Sequence, residues 1–322
     1  MNKSLSEQGF RMPAEWEKQR SVWIIWPYNK NDWPGLFKFI PKTVSEIVSI
    51  VSKTQTVNLI IKTKKDIKII RKELKQGNYK KNNVKFHVIA SDRIWIRDSG
   101  PIFLRNTKNK KKIFLNFKFN GWAKYKNYKK DDKINTFISN STKIKKIDPK
   151  IKIKNKIKRI VLEGGSIDVN GKGSILLTKE CLLSKVQERN PGIKKKQYED
   201  LLCKYLNVSN FIWLNKGIIG DDTHGHVDDI SRFISKNTIL TAVEVNKKSP
   251  NYKILNDNLK ILKNSKNEIG KKFNIIKVPM PKPIYIKKTI VPASYMNFFI
   301  ANKIVLLPIF NDKNDSRVIS IF

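Results

Sequence analysis

The sequence predicts a single-domain α/β fold. Short apolar runs typical of strands alternate along the chain with segments whose apolar residues recur at helical spacing. No stretch rich in proline, glycine and serine divides the 322 residues. Hydrophobic residues make up 40% of the chain and are spread along it, which indicates a folded polypeptide with a sizeable core. We therefore expect one domain over residues 1–322.

The strand-like runs are short and are separated by polar segments. In chain order the predicted strands are 21–26, 56–62, 83–90, 113–119, 160–162, 173–177, 210–214, 238–245, 273–278 and 296–307. Three helical faces lie between them, formed by Val44, Ile47, Val48 and Val51, by Ile67, Ile70 and Leu74, and by Tyr198, Leu201, Leu202 and Leu206.

Two further segments have a less regular pattern. Residues 124–158, rich in lysine, asparagine and aspartate, are predicted to form a surface excursion or a lid. Residues 311–322 are predicted to begin a capped helix, because aspartate and asparagine precede an apolar pattern there.

The chain carries a formal net charge of +39, from 66 lysines and arginines against 27 acidic residues. Such a charge is typical of proteins that bind nucleic acid or anionic membranes. Here the excess is mostly lysine and is dispersed through every segment, whereas RNA-binding surfaces favour arginine with interleaved aromatics. The pattern favours solvated faces, and we expect no nucleic-acid partner.

The two cysteines, Cys181 and Cys203, lie far apart and lack CxxC spacing. This spacing indicates neither a disulfide framework nor a zinc knuckle. Each cysteine is expected to pack as a small hydrophobic residue. Residues 1–11 lack the apolar region of a secretory signal. No run approaches the roughly 18 apolar residues of a membrane span. We expect a soluble, cytoplasmic protein without a membrane partner.

The richest polar cluster is residues 220–229, which contain two of the three histidines. One interpretation is a zinc site, because Thr-His-x-His-x-Asp resembles the opening of the metallo-β-lactamase motif; however, Asp229 stands where that motif has histidine, and no histidine follows His226. The other is acid–base work by His226 beside a substrate-binding Asp228, which point the same way if the segment is extended. His224 would join them on that face. A polar surface turn is the third alternative.

Two other segments carry candidate carboxylates. Asp98 lies between Trp95, whose ring could face a cation, and a Gly-Pro turn, although an Arg97–Asp98 surface pair is the alternative. Glu163 is followed by two glycines, which permit close backbone approach. The glycine pattern excludes a phosphate-binding loop, since neither GxGxxG nor GK[ST] is present.

Taken in order, these segments resemble the family of agmatine deiminases and bacterial peptidylarginine deiminases. The resemblance covers nearly the whole chain and includes W-x-R-D-x-G-P at the Asp98 segment. The matching segments are 12–17, 26–27, 32–35, 95–101, 119–122, 162–167, 180–183, 189–191 and 220–233.

The resemblance implies a five-bladed α/β propeller of ββαβ-like repeats, with the last unit incomplete and the site at the centre. It implies that a small cationic guanidine substrate is bound and hydrolysed without a metal or cofactor; the formation of a homo-oligomer stays open. Its implied site residues are Asp98 and Asp228 for the guanidinium nitrogens, His226 as general acid and base, Glu163 beside the imidazole, and Trp95 and Trp122 lining the pocket.

The implied reaction is deimination, in which a cysteine thiolate attacks the guanidinium carbon and water then releases a ureido product. For agmatine the products are N-carbamoylputrescine and ammonia. The family's nucleophile lies in a C-terminal G-G-x-x-H-C segment, which we expect to follow Phe322, so no residue of this chain is assigned as nucleophile. A peptidyl-arginine deiminase and a non-catalytic cation-binding protein are the alternatives.

Overall fold

The computed structural model describes residues 3–153, 156–286 and 288–322 and has an α/β architecture. Its strands form several small sheets rather than one large one. The strands are β1 (Phe10–Arg11), β2 (Ser21–Ile25), β3 (Thr56–Ile61), β4 (Val84–Val88), β5 (Ile102–Asn106), β6 (Lys112–Leu115), β7 (Lys145–Ile147), β8 (Lys150–Ile153), β9 (Lys156–Arg159), β10 (Asp168–Val169), β11 (Ser174–Thr178), β12 (Asn210–Leu214), β13 (Ser231–Ser235), β14 (Thr238–Val243), β15 (Asn274–Pro279), β16 (Ile284–Ile286), β17 (Thr289–Val291), β18 (Phe299–Ala301) and β19 (Ile304–Leu306).

The helices begin and end at recognisable signals. Pro41 lies in the first turn of the first long helix, Thr178 caps the fifth helix by accepting a hydrogen bond from the Cys181 amide, and Asn207 ends the sixth in the left-handed region. The helices are α1 (Ile40–Ser52), α2 (Asp66–Gln76), α3 (Ile96–Ser99), α4 (Ile134–Thr142), α5 (Lys179–Leu183), α6 (Lys195–Leu206), α7 (Tyr252–Asn264) and α8 (Asp315–Ile321). Among the described residues, no helix combines the length and apolarity of a membrane crossing.

One arrangement recurs in the sheets. An antiparallel strand pair is followed by one or two helices and then by a strand parallel to the second member of the pair. This occurs in β5–β6–α4–β7, in β10–β11 with β12, and in β13–β14–α7–β15. The strands β2, β3 and β4 form a separate parallel sheet whose crossovers are α1 and α2. The predicted α/β class is confirmed, and the number of propeller blades stays a prediction.

Two of the sheets bury the apolar stripes of the helices that connect their strands. Val48 and Leu74, from the faces predicted for α1 and α2, are fully buried in one cluster with Leu59 of β3. The third predicted face, on α6, packs Leu202 against Leu177 of β11. The helical periodicity therefore identified the core-facing side of all three helices, because burial of apolar area stabilises them.

Three predicted segments differ from the structure. Residues 160–162 form only an isolated bridge, through Val161, and residues 296–307 form the hairpin β18–β19 instead of one strand. The segment 124–158 is not a simple excursion, since it contains α4, β7, β8 and part of β9; residues 154 and 155 lie outside the described residues. The many lysines of this segment obscure short apolar alternation such as Ile151 and Ile153.

Glu15 connects distant parts of the chain. Its carboxylate accepts hydrogen bonds from Arg97 Nη1 at 2.9 Å, from Arg232 Nη2 at 2.7 Å and from the Ile300 amide at 2.9 Å. Burial acts to raise the pKa of Glu15, but Arg232 and Arg97 lower it to about 2. The ionised carboxylate therefore stabilises the fold above its ordinary pKa, and this stabilisation is lost as the pH falls toward 2.

We predict that Glu15→Gln lowers the free energy of unfolding by about 3 kcal/mol at neutral pH, since each pKa unit of depression corresponds to about 1.4 kcal/mol. The loss relative to the unmodified chain should shrink below pH 4. Urea unfolding followed by circular dichroism at several pH values measures it. Glu17→Gln is the matched control, because the Glu17–Arg11 pair is partly exposed and should contribute less than about 1 kcal/mol. Equal losses in the two variants would contradict the assignment.

Candidate active site

The short helix α3 and the turn after Glu163 bring Asp98 and Glu163 together. Asp98 lies in α3, and the turn that follows Glu163 packs directly against it: a Cβ on Gly164 would lie 2.1 Å from the Arg97 carbonyl oxygen. The Gly165 amide donates a hydrogen bond of 3.0 Å to Asp98 Oδ1. The glycine pair is therefore needed for the close backbone approach that its sequence predicted.

The loop that carries His226 is folded around the carboxylate of Asp221. This carboxylate accepts hydrogen bonds from the amides of Thr223 at 2.7 Å, Gly225 at 2.7 Å and His226 at 3.0 Å. His224 has a φ of +61°, so the segment is not extended and the condition under which His224 would join His226 and Asp228 is not met. The His224 ring instead lies 3.2 Å from the Ser184 hydroxyl, and this histidine does not join the site.

The four predicted acid–base and carboxylate residues meet around one imidazole. His226 Nδ1 lies 3.8 Å from Asp98 Oδ1 and 4.0 Å from Asp228 Oδ1, while Nε2 lies 3.8 Å from Glu163 Oε2. Asp228 reaches this position because a 3-10 turn, rather than an extended strand, follows His226. All four residues are at least nine-tenths buried. Asp98 and Asp228 face one edge of the ring and Glu163 faces the other.

The two predicted tryptophans differ in their placement. Trp122 is buried, and its Nε1 donates a hydrogen bond of 2.9 Å to Asp98 Oδ2. Trp95 is 43% exposed and lies 5.7 Å from the Trp33 ring, between ring centroids. Trp122 therefore holds the Asp98 carboxylate in place. Trp95, which immediately precedes α3, offers an aromatic face to solvent.

Arg189 is a site residue that the sequence did not identify. Its Nε donates to Glu163 Oε1 at 3.1 Å, and both side chains are fully buried. Its other nitrogens donate to the carbonyl oxygens of Gln187 and Thr223. Burial acts to raise the pKa of Glu163, but the Arg189 guanidinium lowers it below its ordinary value. The only sequence signal was the Arg-Asn-Pro motif at 189–191, which was part of the resemblance but had no assigned role.

The two cysteines also differ from their predicted placement. Cys203 is exposed on α6, so its prediction as a packed residue is wrong. Cys181 is buried in an apolar cluster as predicted, but its sulfur also lies within 4.8 Å of a Glu163 carboxylate oxygen and of a His226 ring nitrogen. Neither cysteine is grouped with Asp98 and Asp228.

Burial and charge together set the protonation of the site. Burial raises the pKa of Asp98, and it raises the pKa of Asp228 to about 6. Burial acts to lower the pKa of His226, but the Asp98 carboxylate holds that pKa well above its ordinary value. Asp228 Oδ1 has no hydrogen-bond partner among the described residues. The Asp98–Asp228 side therefore has unmatched negative charge suited to a small cation.

The sequence and the fold match proteins of one family. The model of the Porphyromonas-type peptidyl-arginine deiminases matches residues 11–322. The chain belongs to this family. A relative in Latilactobacillus sakei, named "Putative agmatine deiminase", is 30% identical over 337 residues that cover 98% of this chain and 87% of the relative.

Solved structures of agmatine deiminases have the same fold as this deiminase-family chain. The Enterococcus faecalis agmatine deiminase has a TM-score of 0.85 at 28% identity, over 99% of this chain and 89% of that one. A Cys-to-Ser variant of C. jejuni agmatine deiminase with substrate bound has a TM-score of 0.82 at 31% identity, over 97% and 86% of the respective chains.

We predict that Arg189→Leu destabilises the protein by about 3–5 kcal/mol at neutral pH, because it leaves the buried Glu163 carboxylate with no hydrogen-bonded charge partner and with only the His226 ring, 3.8 Å away, as a charged neighbour of opposite sign among the described residues. The double variant Glu163→Gln, Arg189→Leu should recover part of the loss, since the unpaired charge is then removed. Thermal and denaturant unfolding measure both variants. Lys185→Ala is the control for an exposed pair, with Glu188, and should cost less than about 1 kcal/mol. A double variant no more stable than the single one would contradict the charge argument.

Proposed function

We propose that the chain binds the guanidinium group of agmatine between Asp98 and Asp228, and that His226 carries protons in the hydrolysis of agmatine to N-carbamoylputrescine and ammonia. The observation that carries this proposal is the pair of buried carboxylates on one edge of a buried imidazole, with Asp228 Oδ1 unpartnered among the described residues. A planar cation with several N–H donors suits two such carboxylates.

Gly165 lies where the three polar groups of the proposed binding site converge. A Cβ at this position would lie 2.5 Å from His226 Nδ1 and 2.9 Å from both Asp228 Oδ2 and Asp98 Oδ1. Glycine therefore allows the three polar groups to converge against its backbone, because any side chain there would collide with them. Binding of a cation here would offset the burial cost of Asp98 and Asp228, which burial now pushes toward their neutral forms.

The imidazole is placed for proton transfer. Nδ1 of His226 faces the two aspartates, and Glu163 faces Nε2 at 3.8 Å, where its charge stabilises the imidazolium. In deimination the thiolate adduct of the guanidinium carbon loses ammonia, which takes a proton from His226 as the C–N bond breaks. Water then adds to the carbon, returns a proton to His226 and releases the ureido product and the thiolate.

The described residues supply the binding and proton-transfer groups of this reaction. We propose, from the family resemblance, that the attacking thiolate belongs to a glycine-rich His-Cys segment. Cys181 is not assigned this role, because it lies with Glu163 on the edge of His226 away from Asp98 and Asp228. We further propose that the repeated ββαβ arrangement belongs to a five-bladed propeller centred on His226.

Agmatine and peptidyl arginine share the guanidinium group. We favour agmatine because relatives that align over nearly the whole chain bear that name, as do the solved structures with TM-scores of 0.82 and 0.85. Peptidyl arginine is the second candidate, from the name of the matching family model.

We predict that the 322-residue chain binds agmatine in titration calorimetry, and that Asp98→Asn and Asp228→Asn each weaken binding about 10- to 100-fold. This range corresponds to the loss of one charge-assisted hydrogen-bonding partner, about 1.5–3 kcal/mol. Asp257→Asn is the matched control, since this acidic residue lies on the surface of α7 and should leave the affinity unchanged.

A peptide with one internal arginine is titrated in parallel and should bind more weakly than agmatine. Absence of heat with millimolar agmatine and folded protein would rule out the proposed binding. Tighter binding of the peptide would favour the second candidate. Ammonia release is measured on the same samples.

We also predict that agmatine affinity falls at acid pH. With the pKa of Asp228 at about 6, roughly one molecule in ten keeps this carboxylate ionised at pH 5, so binding should be about tenfold weaker at pH 5 than well above pH 6. Protonation of Asp98 acts in the same direction. Calorimetry from pH 5 to pH 8 tests this, and an affinity independent of pH would contradict the role of the two aspartates.

A further inference from the structure

Three donor atoms of different chemistry meet on the Glu163 side of His226. The Cys181 sulfur, one ring nitrogen of His226 and one carboxylate oxygen of Glu163 lie within 4.8 Å of one another, and all three side chains are buried. Guanidinium binding uses the opposite edge of the imidazole, so the proposed function gives Cys181 no task.

Two of these three potential ligand atoms have unused hydrogen-bonding capacity. Among the described residues, Glu163 Oε2 and His226 Nε2 have no hydrogen-bond partner, although both are buried. They lie 3.8 Å apart, which is too long for a hydrogen bond. Neighbouring N and O ligands on a tetrahedral zinc ion are about 3.3 Å apart, given bonds of about 2.0–2.1 Å. A small inward shift of the two side chains would therefore place both on one ion.

We infer that Cys181, His226 and Glu163 form a binding site for a zinc-type divalent cation. Thiolate and imidazole ligands favour such borderline-soft ions, whereas magnesium and calcium prefer oxygen ligands alone. A thiolate, an imidazole and a carboxylate provide three protein ligands and leave one coordination position open. On binding, the thiol loses its proton to solvent and the sulfur coordinates as thiolate. An imidazolium also loses its Nε2 proton to solvent, because only the unprotonated nitrogen can coordinate a cation.

The surroundings hold these ligands in orientation. Arg189 donates to Glu163 Oε1 at 3.1 Å, so the other oxygen remains available. The Cys181 amide donates to Thr178 Oγ1 at 3.1 Å, which fixes the first turn of α5. Asp98 faces His226 Nδ1, the nitrogen opposite the proposed metal ligand. A carboxylate on the far nitrogen of a metal-bound histidine is a recurrent orienting arrangement.

A cation bound at this site would inhibit the proposed deimination. A cation on Nε2 keeps the remaining imidazole proton on Nδ1 and prevents formation of the imidazolium, so His226 could no longer cycle between acid and base. This consequence rests on the proposed function, whereas cation binding itself does not. Metal binding and agmatine binding are therefore measured separately.

The test is titration of the metal-free protein with Co²⁺, followed by competition with Zn²⁺ and a chromophoric chelator. The unmodified chain and Cys203→Ser should each bind one equivalent and develop thiolate-to-cobalt charge-transfer absorption. Cys181→Ser should lack that absorption and bind Zn²⁺ at least about tenfold more weakly, as expected for loss of a ligand. The exposed Cys203 is the matched control for an unrelated thiol.

Glu163→Gln provides a second variant that leaves both thiols in place and should also weaken Zn²⁺ binding. Circular dichroism confirms that each variant is folded before titration. Charge-transfer absorption that persists in Cys181→Ser, or that disappears only in Cys203→Ser, would overturn the proposal, as would Zn²⁺ affinity unchanged in folded Glu163→Gln. Agmatine calorimetry on the metal-free chain reports on the proposed function independently.

Discussion

The burial of negative charge around His226 is the constraint on which the site depends. Each carboxylate there must be matched, because an unpaired buried charge costs several kcal/mol. Glu163 is matched by Arg189, and Asp98 by hydrogen bonds from Trp122 and the Gly165 amide. Asp228 has one oxygen without a partner among the described residues. The fold thus leaves a carboxylate oxygen without a partner on one edge of the imidazole, an arrangement that suits the binding of a cation.

A second buried charge network lies next to this one and ties the loops together. Arg232, which follows the His226 loop, contacts both Glu15 and Asp168. Asp168 in turn accepts a hydrogen bond from the Phe233 amide, and burial raises its pKa to about 6. The segment that carries His226 is therefore fixed at its start by Asp221 and after its end by Arg232. Such fixation at both ends holds the imidazole at a defined position between its carboxylates.

The placement of Cys181 changes the interpretation of this centre. From sequence it is a small buried residue, and in the structure it remains one. Its sulfur nevertheless lies near one edge of the His226 imidazole, while Asp98 and Asp228 lie at the opposite edge. The same ring therefore takes part in both proposals, the proton cycle through Nδ1 and cation coordination through Nε2. Hydrophobic periodicity carries no information about such sharing, because it reports burial and not neighbours.

The sequence by itself determined the α/β class, the core-facing side of α1, α2 and α6, and the identity of Asp98, Glu163, His226 and Asp228 as candidates. The fold class and the helix faces depend on local periodicity, whereas the four candidates depend on side-chain chemistry within short segments and on the family resemblance that the order of those segments carries. Only the tertiary structure decided that the Arg189 guanidinium matches Glu163, which lies 26 residues away, and that His224 turns out of the site. The physical reason is that ion pairs and ring orientations depend on how separate loops pack, and the chain encodes that packing only through the whole fold.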